Sequence, residues 1–196
     1  MNRINLAIFA SGNGTNAEAI INYFKDHQEI HVGGLLSNNP DAFAIQRAQN
    51  HHIPYVVVNR TEFKNSAFIL EQLDNWGIDA IVLAGFLWLI PEYLVVRFQD
   101  RILNIHPALL PKFGGKGMYG SHVHRAVLAS GEKETGITIH LVNQHYDEGA
   151  IIFQKNCQVN EGDTPETLAA KVHQLEHKYY PQVIEEWLAG KYSNQS

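Results

Sequence analysis

Short apolar runs alternate along the chain with longer segments whose apolar residues recur every three or four positions. Short apolar runs bounded by glycine or polar residues are typical of buried strands, which we predict at residues 4–9, 31–36, 55–58, 79–84 and 102–105. The helical spacing predicts helices at residues 16–27, 41–50, 61–76, 122–130 and 164–188, with a further short helix after Pro91. Residues 137–143 and 150–159 predict two strands joined by a turn around Asp147.

Regular alternation of strand and helix favours an α/β fold. We predict a single Rossmann-like domain over residues 1–190, with a mostly parallel sheet, helices on both faces and an antiparallel edge made by the last strand pair. Residues 191–196 are expected to form a flexible tail. The Pro- and Gly-rich loop at residues 106–121 is unusually long, and such loops are commonly functional.

Composition narrows the classes of partner. The net charge of −5 argues against nucleic-acid binding, which depends on clustered Lys and Arg. No stretch approaches the roughly 20 apolar residues of a membrane span. Cys157 is the only cysteine, which fits a reducing compartment. We therefore expect a cytoplasmic protein, monomeric or homodimeric, that acts on small molecules. Its eleven histidines lack metal-ligand spacing, so no metal is expected.

The glycine-rich sequence GNGTN at residues 12–16 lies between the first strand and the first helix. Backbone N–H groups and the helix dipole at such a junction favour a phosphate, although a tight turn without a ligand is the simpler alternative. Gly12, Gly14 and Ala17 also match a dinucleotide fingerprint, which requires an acidic residue after the second strand. Because that strand is followed by Ser37 and two asparagines, a single phosphate is the better prediction.

The sequence NIHP begins at Asn104, at the end of the fifth strand, where open α/β sheets bind their ligands. Asn104 and His106 are two residues apart, so in a strand both point to one face. An amide donor beside a histidine can stabilise a developing oxyanion and move a proton, although such residues are often only structural. Asp147 is either an ordinary turn aspartate or the carboxylate that orients this histidine and raises its pKa. The apolar segment at residues 86–90 either lines a pocket for a flat ring or belongs to the core.

Taken together, these motifs resemble the folate-dependent formyltransferases, and among them the monodomain family that formylates phosphoribosylated glycinamide in purine synthesis. The resemblance covers about residues 4–190 and is carried by GNGTN, LAGFLWLIP at 83–91, NIHPALLPKF at 104–113, GITIHLV to YDEGAIIFQ at 136–154, and EHKYYP at 176–181. It implies 10-formyltetrahydrofolate as co-substrate and no metal. It also implies a catalytic set made of Asn104, His106 and Asp147.

The same resemblance implies the substrate-binding residues. Gly14, Thr15 and Asn16 correspond to the loop that binds the acceptor phosphate, and Glu176 to the glutamate that reaches the ribose hydroxyls. The implied folate-binding residues are Leu87, Trp88, Leu89 and Ile90, which wall the pterin, together with Asn104. The family often has Arg where Trp88 stands and a basic residue where Ser66 falls, so we expect Lys64 to replace the missing basic folate contact.

The expected chemistry is direct acyl transfer. The glycinamide amine attacks the formyl carbon, Asn104 donates to the oxygen, and a protonated or nearly protonated His106 assists while Asp147 stabilises it. One alternative is a formyltetrahydrofolate deformylase, whose members usually carry an additional N-terminal domain. Others are a transferase acting on formyl-methionine tRNA or a nucleotide sugar, which adds a C-terminal domain, and a non-catalytic sugar-phosphate sensor.

Overall fold

The computed structural model describes residues 3–190. Contacts within the chain divide it between Leu103 and Asn104 into two compact units. The strands are β1 (Ile4–Ala10), β2 (Ile30–Ser37), β3 (Tyr55–Val57), β4 (Ala80–Leu83), β5 (Ile102–His106), β6 (Glu134–Leu141) and β7 (Ile151–Gln158). The helices are α1 (Thr15–Phe24), α2 (Phe43–Asn50), α3 (Arg60–Lys64), α4 (Ser66–Asn75), α5 (Glu92–Arg97), α6 (Ser121–Ser130) and α7 (Pro165–Leu188).

In the first unit, β1 is the central strand. It pairs in parallel with β2 on one side and β4 on the other, and β2 pairs in parallel with β3. Residues 6–10 of β1 are completely buried, as expected for a strand covered on both faces. Helices α1 and α2 pack against β2. The carboxyl end of β1 leads into the glycine-rich loop, so this loop lies at the carboxyl edge of the parallel strands.

The second unit contains the antiparallel edge and the longest helix. Strands β6 and β7 pair antiparallel, and α7 packs against both of them and against α6. Helix α7 begins after Thr164, whose side chain accepts from the Thr167 N–H in a capping box, and Pro165 occupies its first position. These start signals are local, which is why the sequence predicts the beginning of α7 correctly.

The strand order of the seven-stranded sheet is β3-β2-β1-β4-β5-β6-β7. The predicted α/β class, the mostly parallel sheet and its antiparallel edge are therefore confirmed. The division into a domain at residues 1–190 and a tail at 191–196 stays a prediction, and the tail lies outside the described residues. Within residues 3–190, no helix combines the length and the apolar character needed to cross a membrane.

The structure corrects the helix predicted over residues 61–76, which is two helices. Asn65 has an extended backbone (φ −80°, ψ 96°), and its side chain accepts from the Phe68 N–H as the cap of α4. Asn59 caps α3 in the same way, in a capping box with Glu62. Because asparagine competes with the helix for backbone N–H groups, Asn65 ends one helix and begins the next.

Candidate active site

His106, the last residue of β5, has its protonation pattern fixed by the loop that follows. Its Nε2 lies 2.8 Å from the carbonyl oxygen of Phe113, which can only accept, so Nε2 carries a hydrogen and donates it. The other ring nitrogen, Nδ1, lies 3.5 Å from Oδ2 of Asp147. The predicted pairing of His106 with Asp147 is therefore present in the structure.

His106 is almost fully buried, and burial is the largest influence on its pKa. Burial lowers its pKa below the ordinary value, and the raising effects of the Asp147 carboxylate and the Phe113 carbonyl compensate only in part. Burial therefore favours the neutral ring, in which the hydrogen lies on Nε2 and the lone pair on Nδ1. The predicted protonated or nearly protonated state of His106 during the reaction stays a prediction.

Asp147 lies in the turn before β7, with a positive φ of 58° that asparagine and aspartate tolerate better than most residues. Its Oδ2 accepts from the Gly115 N–H at 2.9 Å. Burial raises the pKa of this carboxyl, but the neighbouring rings of His140 and His106 and the Gly115 N–H outweigh burial and lower it overall. Asp147 is therefore an anion throughout the neutral range.

Asn104 is held by a second buried histidine, His140 on β6. The Nδ1 of His140 donates to the Leu141 carbonyl at 2.8 Å, which leaves Nε2 to accept from the amide nitrogen of Asn104 at 3.1 Å. The same amide nitrogen lies 3.4 Å from Oδ1 of Asp147, at the long limit for a hydrogen bond. One amide hydrogen is thus firmly bound, and the second is only weakly engaged.

The three predicted catalytic residues are brought together, and the sequence reasoning missed the groups that hold them. His140 lies in the GITIHLV segment that carries the family resemblance, two residues after Thr138 on the same strand face. Its position inside that segment was the available signal. Phe113 and Gly115 act through backbone atoms, which the sequence does not reveal.

Glu176 lies on α7 and is buried, with 6% of its side chain exposed. Its Oε2 lies 2.8 Å from Nδ1 of His173, one helical turn earlier. The hydrogen bond with Glu176 raises the pKa of His173 despite partial burial. His124 on α6 is also buried, and its Nδ1 has no hydrogen-bond partner among residues 3–190. The predicted ribose contact is thus a buried carboxylate accompanied by two histidines.

The glycine-rich loop leads directly into α1, which begins at Thr15. Gly14 has a left-handed conformation (φ 74°), and a Cβ there would lie 2.7 Å from the Cα of Ala44. Gly14 is therefore required by packing, whereas a Cβ at Gly12 would meet nothing within 4 Å. Thr15 and Asn16 are the first residues of the helix, where backbone N–H groups lack intrahelical partners. Gly12 is therefore the open position of this loop, and its phosphate-binding role stays a prediction.

Two residues brace this loop. Arg47 on α2 donates to the Asn13 carbonyl and side chain at 2.9 Å each, and also pairs with Glu18. Ser11 is buried; its hydroxyl accepts from the Leu87 N–H at 3.0 Å, and its carbonyl accepts from the Asn39 side chain. The glycine-rich loop and the apolar segment after β4 therefore share Ser11 as a common support.

The apolar segment after β4 is divided between core and surface. Ile90 is buried, whereas Leu87 and Leu89 are 47% and 42% exposed. Trp88 is partly exposed and packs against Phe63 and Phe86, with ring centroids 5.5 and 6.3 Å away. Leu87, Trp88 and Leu89 thus offer an apolar surface to a ligand, and Ile90 supports it from below. Lys64 is exposed at the end of α3.

The fold and the site define an α/β protein with a buried cluster of Asn104, His106, His140 and Asp147 at the carboxyl end of a sheet strand. Among residues 3–190, no group of three His, Cys, Asp or Glu side chains is placed to hold a metal ion. The chain belongs to the formyl transferase family, whose profile matches residues 4–184.

Individual relatives agree with this assignment. The chain is 43% identical to the chloroplastic phosphoribosylglycinamide formyltransferase of Arabidopsis thaliana, covering 93% of this chain but only 64% of that protein. It is 39% identical to phosphoribosylglycinamide formyltransferase of Bacillus subtilis, covering 93% of both. The crystal structure of glycinamide ribonucleotide transformylase 1 from Symbiobacterium toebii superposes with a TM-score of 0.88 at 33% identity, covering 96% of this chain and 89% of that one.

Proposed function

We propose that the protein transfers a formyl group from 10-formyltetrahydrofolate to the amine of phosphoribosylated glycinamide, in the cytoplasm, as a step of purine synthesis. The observation that carries this proposal is the buried His106, whose Nε2 is held by the Phe113 carbonyl while its Nδ1 lies 3.5 Å from the Asp147 carboxylate. Such a nitrogen accepts a proton from an attacking amine and returns it to a leaving amine. The names of the B. subtilis and S. toebii relatives support formyl transfer to the same acceptor.

In the proposed mechanism, the acceptor amine attacks the formyl carbon and the carbonyl electrons move to the oxygen. Asn104 donates its weakly engaged amide hydrogen to this oxyanion, while His140 holds the other hydrogen and so fixes the amide. The amine proton passes to Nδ1 of His106. The new imidazolium is stabilised by Asp147 on one side and the Phe113 carbonyl on the other.

Collapse of the tetrahedral intermediate completes the transfer. The bond between the formyl carbon and N10 of the folate breaks, the carbonyl re-forms, and Nδ1 of His106 returns its proton to N10. The acceptor gains the formyl group, the folate gains a proton, and His106 ends neutral as it began. No protein side chain is acylated. Cys157 is not suited to that role, because burial raises the pKa of its thiol.

Each of the two units is proposed to contribute its own binding residues. In the first unit, the loop around Gly14, Thr15 and Asn16 is proposed to bind a phosphate through backbone N–H groups. The exposed surface of Leu87, Trp88 and Leu89 is proposed to contact the folate. In the second unit, the buried carboxylate of Glu176 is proposed to accept hydrogen bonds from ribose hydroxyls.

The decisive experiment measures loss of the formyl group with and without acceptor. A bound amine held near the formyl carbon gains an effective molarity of ~10⁵ M or more, which water in the same site does not. We expect the purified protein to deformylate 10-formyltetrahydrofolate slowly, and glycinamide ribonucleotide to accelerate the reaction by orders of magnitude with formylglycinamide ribonucleotide as product. Rapid formate release without acceptor would instead establish a hydrolase.

A further inference from the structure

Arg60, the first residue of α3, lies against Trp88 in the first unit. The centre of its guanidinium is 4.7 Å from the centroid of the Trp88 ring. The capping box between Asn59 and Glu62 fixes the start of α3, and Phe63 on the same helix packs against Trp88. The cation is therefore positioned by an ordered helix start and an aromatic surface.

The hydrogen-bonding capacity of Arg60 is unused. Its side chain is exposed, and among residues 3–190 it forms neither an ion pair nor a hydrogen bond. A guanidinium has five N–H donors in a planar fork that matches a carboxylate in two-point contact. Arg97 and Arg101, by contrast, use their guanidinium groups to donate to other groups of the protein. Arg60 thus presents a planar set of donors to solvent, next to the ring of Trp88.

Lys64 is the other cation of α3, and the structure gives it no comparable position. It is exposed at the carboxyl end of the helix and contacts no aromatic ring among the described residues. A flexible ammonium without a packing partner loses more side-chain freedom on binding an anion than a guanidinium held over an indole.

We infer that Arg60, held over Trp88, is the specificity-determining residue that recognises the carboxylate tail of the formyl donor. This inference rests on the proposed function, because the donor's chemistry supplies the ligand: an aminobenzoyl ring followed by glutamate. The ring packs on the apolar surface of Leu87, Trp88 and Leu89, and a glutamate carboxylate accepts two hydrogen bonds from the Arg60 fork. Lys64 takes no part in this contact.

The test compares the natural donor with a donor whose two glutamate carboxylates are primary amides. Arg60→Ala should raise the KM of the natural donor about tenfold, as expected for loss of a charge-assisted bidentate contact, with kcat unchanged. The amide donor should show the same raised KM with the wild type, and Arg60→Ala should leave that KM unchanged. Arg60→Lys should recover part of the affinity. Lys64→Ala tests the competing assignment on the same helix, and we expect it to keep the wild-type difference in KM between the two donors.

Two results would overturn the inference. One is an equal rise in KM for both donors in Arg60→Ala, which would mean that Arg60 only supports the apolar surface. The other is that Lys64→Ala, and not Arg60→Ala, abolishes the difference in KM between the natural donor and the amide donor. If the wild type binds the donor but formylates no acceptor, the proposed function fails. Equilibrium binding of the two donors to the wild type and to the three variants then still decides the role of Arg60.

Discussion

The hydrogen bond from Nε2 of His106 to the Phe113 carbonyl, 2.8 Å long, decides which ring nitrogen is available for chemistry. With the hydrogen on Nε2, the lone pair of Nδ1 is directed towards the Asp147 side of the ring, 3.5 Å from that carboxylate. In the proposed mechanism, a histidine in this tautomer therefore begins the reaction as a base and finishes it as an acid.

Replacing His106 with alanine should therefore lower kcat by at least about 10²-fold, with much smaller changes in either KM, because the ring acts mainly on charge formed in the transition state. Steady-state kinetics with both substrates measures the effect. His31→Ala provides a matched control, since it removes an exposed histidine from β2. A His106→Ala enzyme with nearly full kcat would exclude His106 from proton transfer.

Asp147→Asn should move the acid limb of the pH–rate profile to lower pH and reduce kcat. The sign follows from the charges: Asp147 raises the pKa of His106, which burial already holds below 6.5, so removing the carboxylate lowers that pKa further. The neutral base then persists to lower pH, but the imidazolium formed during turnover loses its partner. NMR titration of the His106 ring tests the pairing directly, and an unchanged titration would disprove it.

Substitutions at the two glycines of the loop should have different effects, one on acceptor binding and the other on thermal stability. Gly12→Ala should keep the melting temperature and raise the KM of the acceptor, because its Cβ points into open space where a phosphate would approach. Gly14→Ala should instead lower the melting temperature, since its Cβ would meet Ala44 at 2.6 Å and its φ is 74°. Thermal denaturation and acceptor kinetics on both variants distinguish these outcomes. If Gly12→Ala binds acceptor normally, the loop is only a turn.

Glu176→Gln should raise the KM of the acceptor about tenfold and leave that of the folate donor unchanged, because it removes the charged acceptor for ribose hydroxyls. It should also lower the pKa of His173, which the Glu176 carboxylate now raises. The stability contributed by this pair is fully present below the ordinary histidine pKa of 6.5 and is lost as pH rises through the raised value. A matching rise in the donor KM would mean that Glu176 acts on the fold and not on the acceptor.

The sequence predicts those features whose signals are local. The apolar runs of β1 and β4 locate the buried strands, and Thr164 with Pro165 marks the start of α7. The break between α3 and α4 was missed because Asn65 resembles an ordinary polar helix residue until its side chain is seen to cap the next helix. The spacing of Asn104 and His106 indicates a shared face, but spacing alone does not give the charge state of a buried ring.

Features that depend on distant pairs could not be predicted. His140 and Asn104 are 36 positions apart, and they meet only because β5 and β6 are neighbours in the sheet. Arg60 and Trp88 come from different elements in the same way. The role of Lys64 as a folate contact stays a prediction, since it rests on the position of Lys64 near the family's basic residue and not on a contact in the structure.

The loop between β5 and α6 has one further consequence, which hydrogen exchange would detect. Phe113 and Gly115 are two residues apart, and they bond to His106 and Asp147 respectively. The Gly115 amide is therefore expected to exchange with solvent far more slowly than its position in an irregular loop suggests, at a rate set by opening of the Asp147 turn. Insertions or deletions between these two residues would break both bonds at once. Changes in length are therefore expected to be better tolerated after Gly115, between there and the start of α6, than between Phe113 and Gly115.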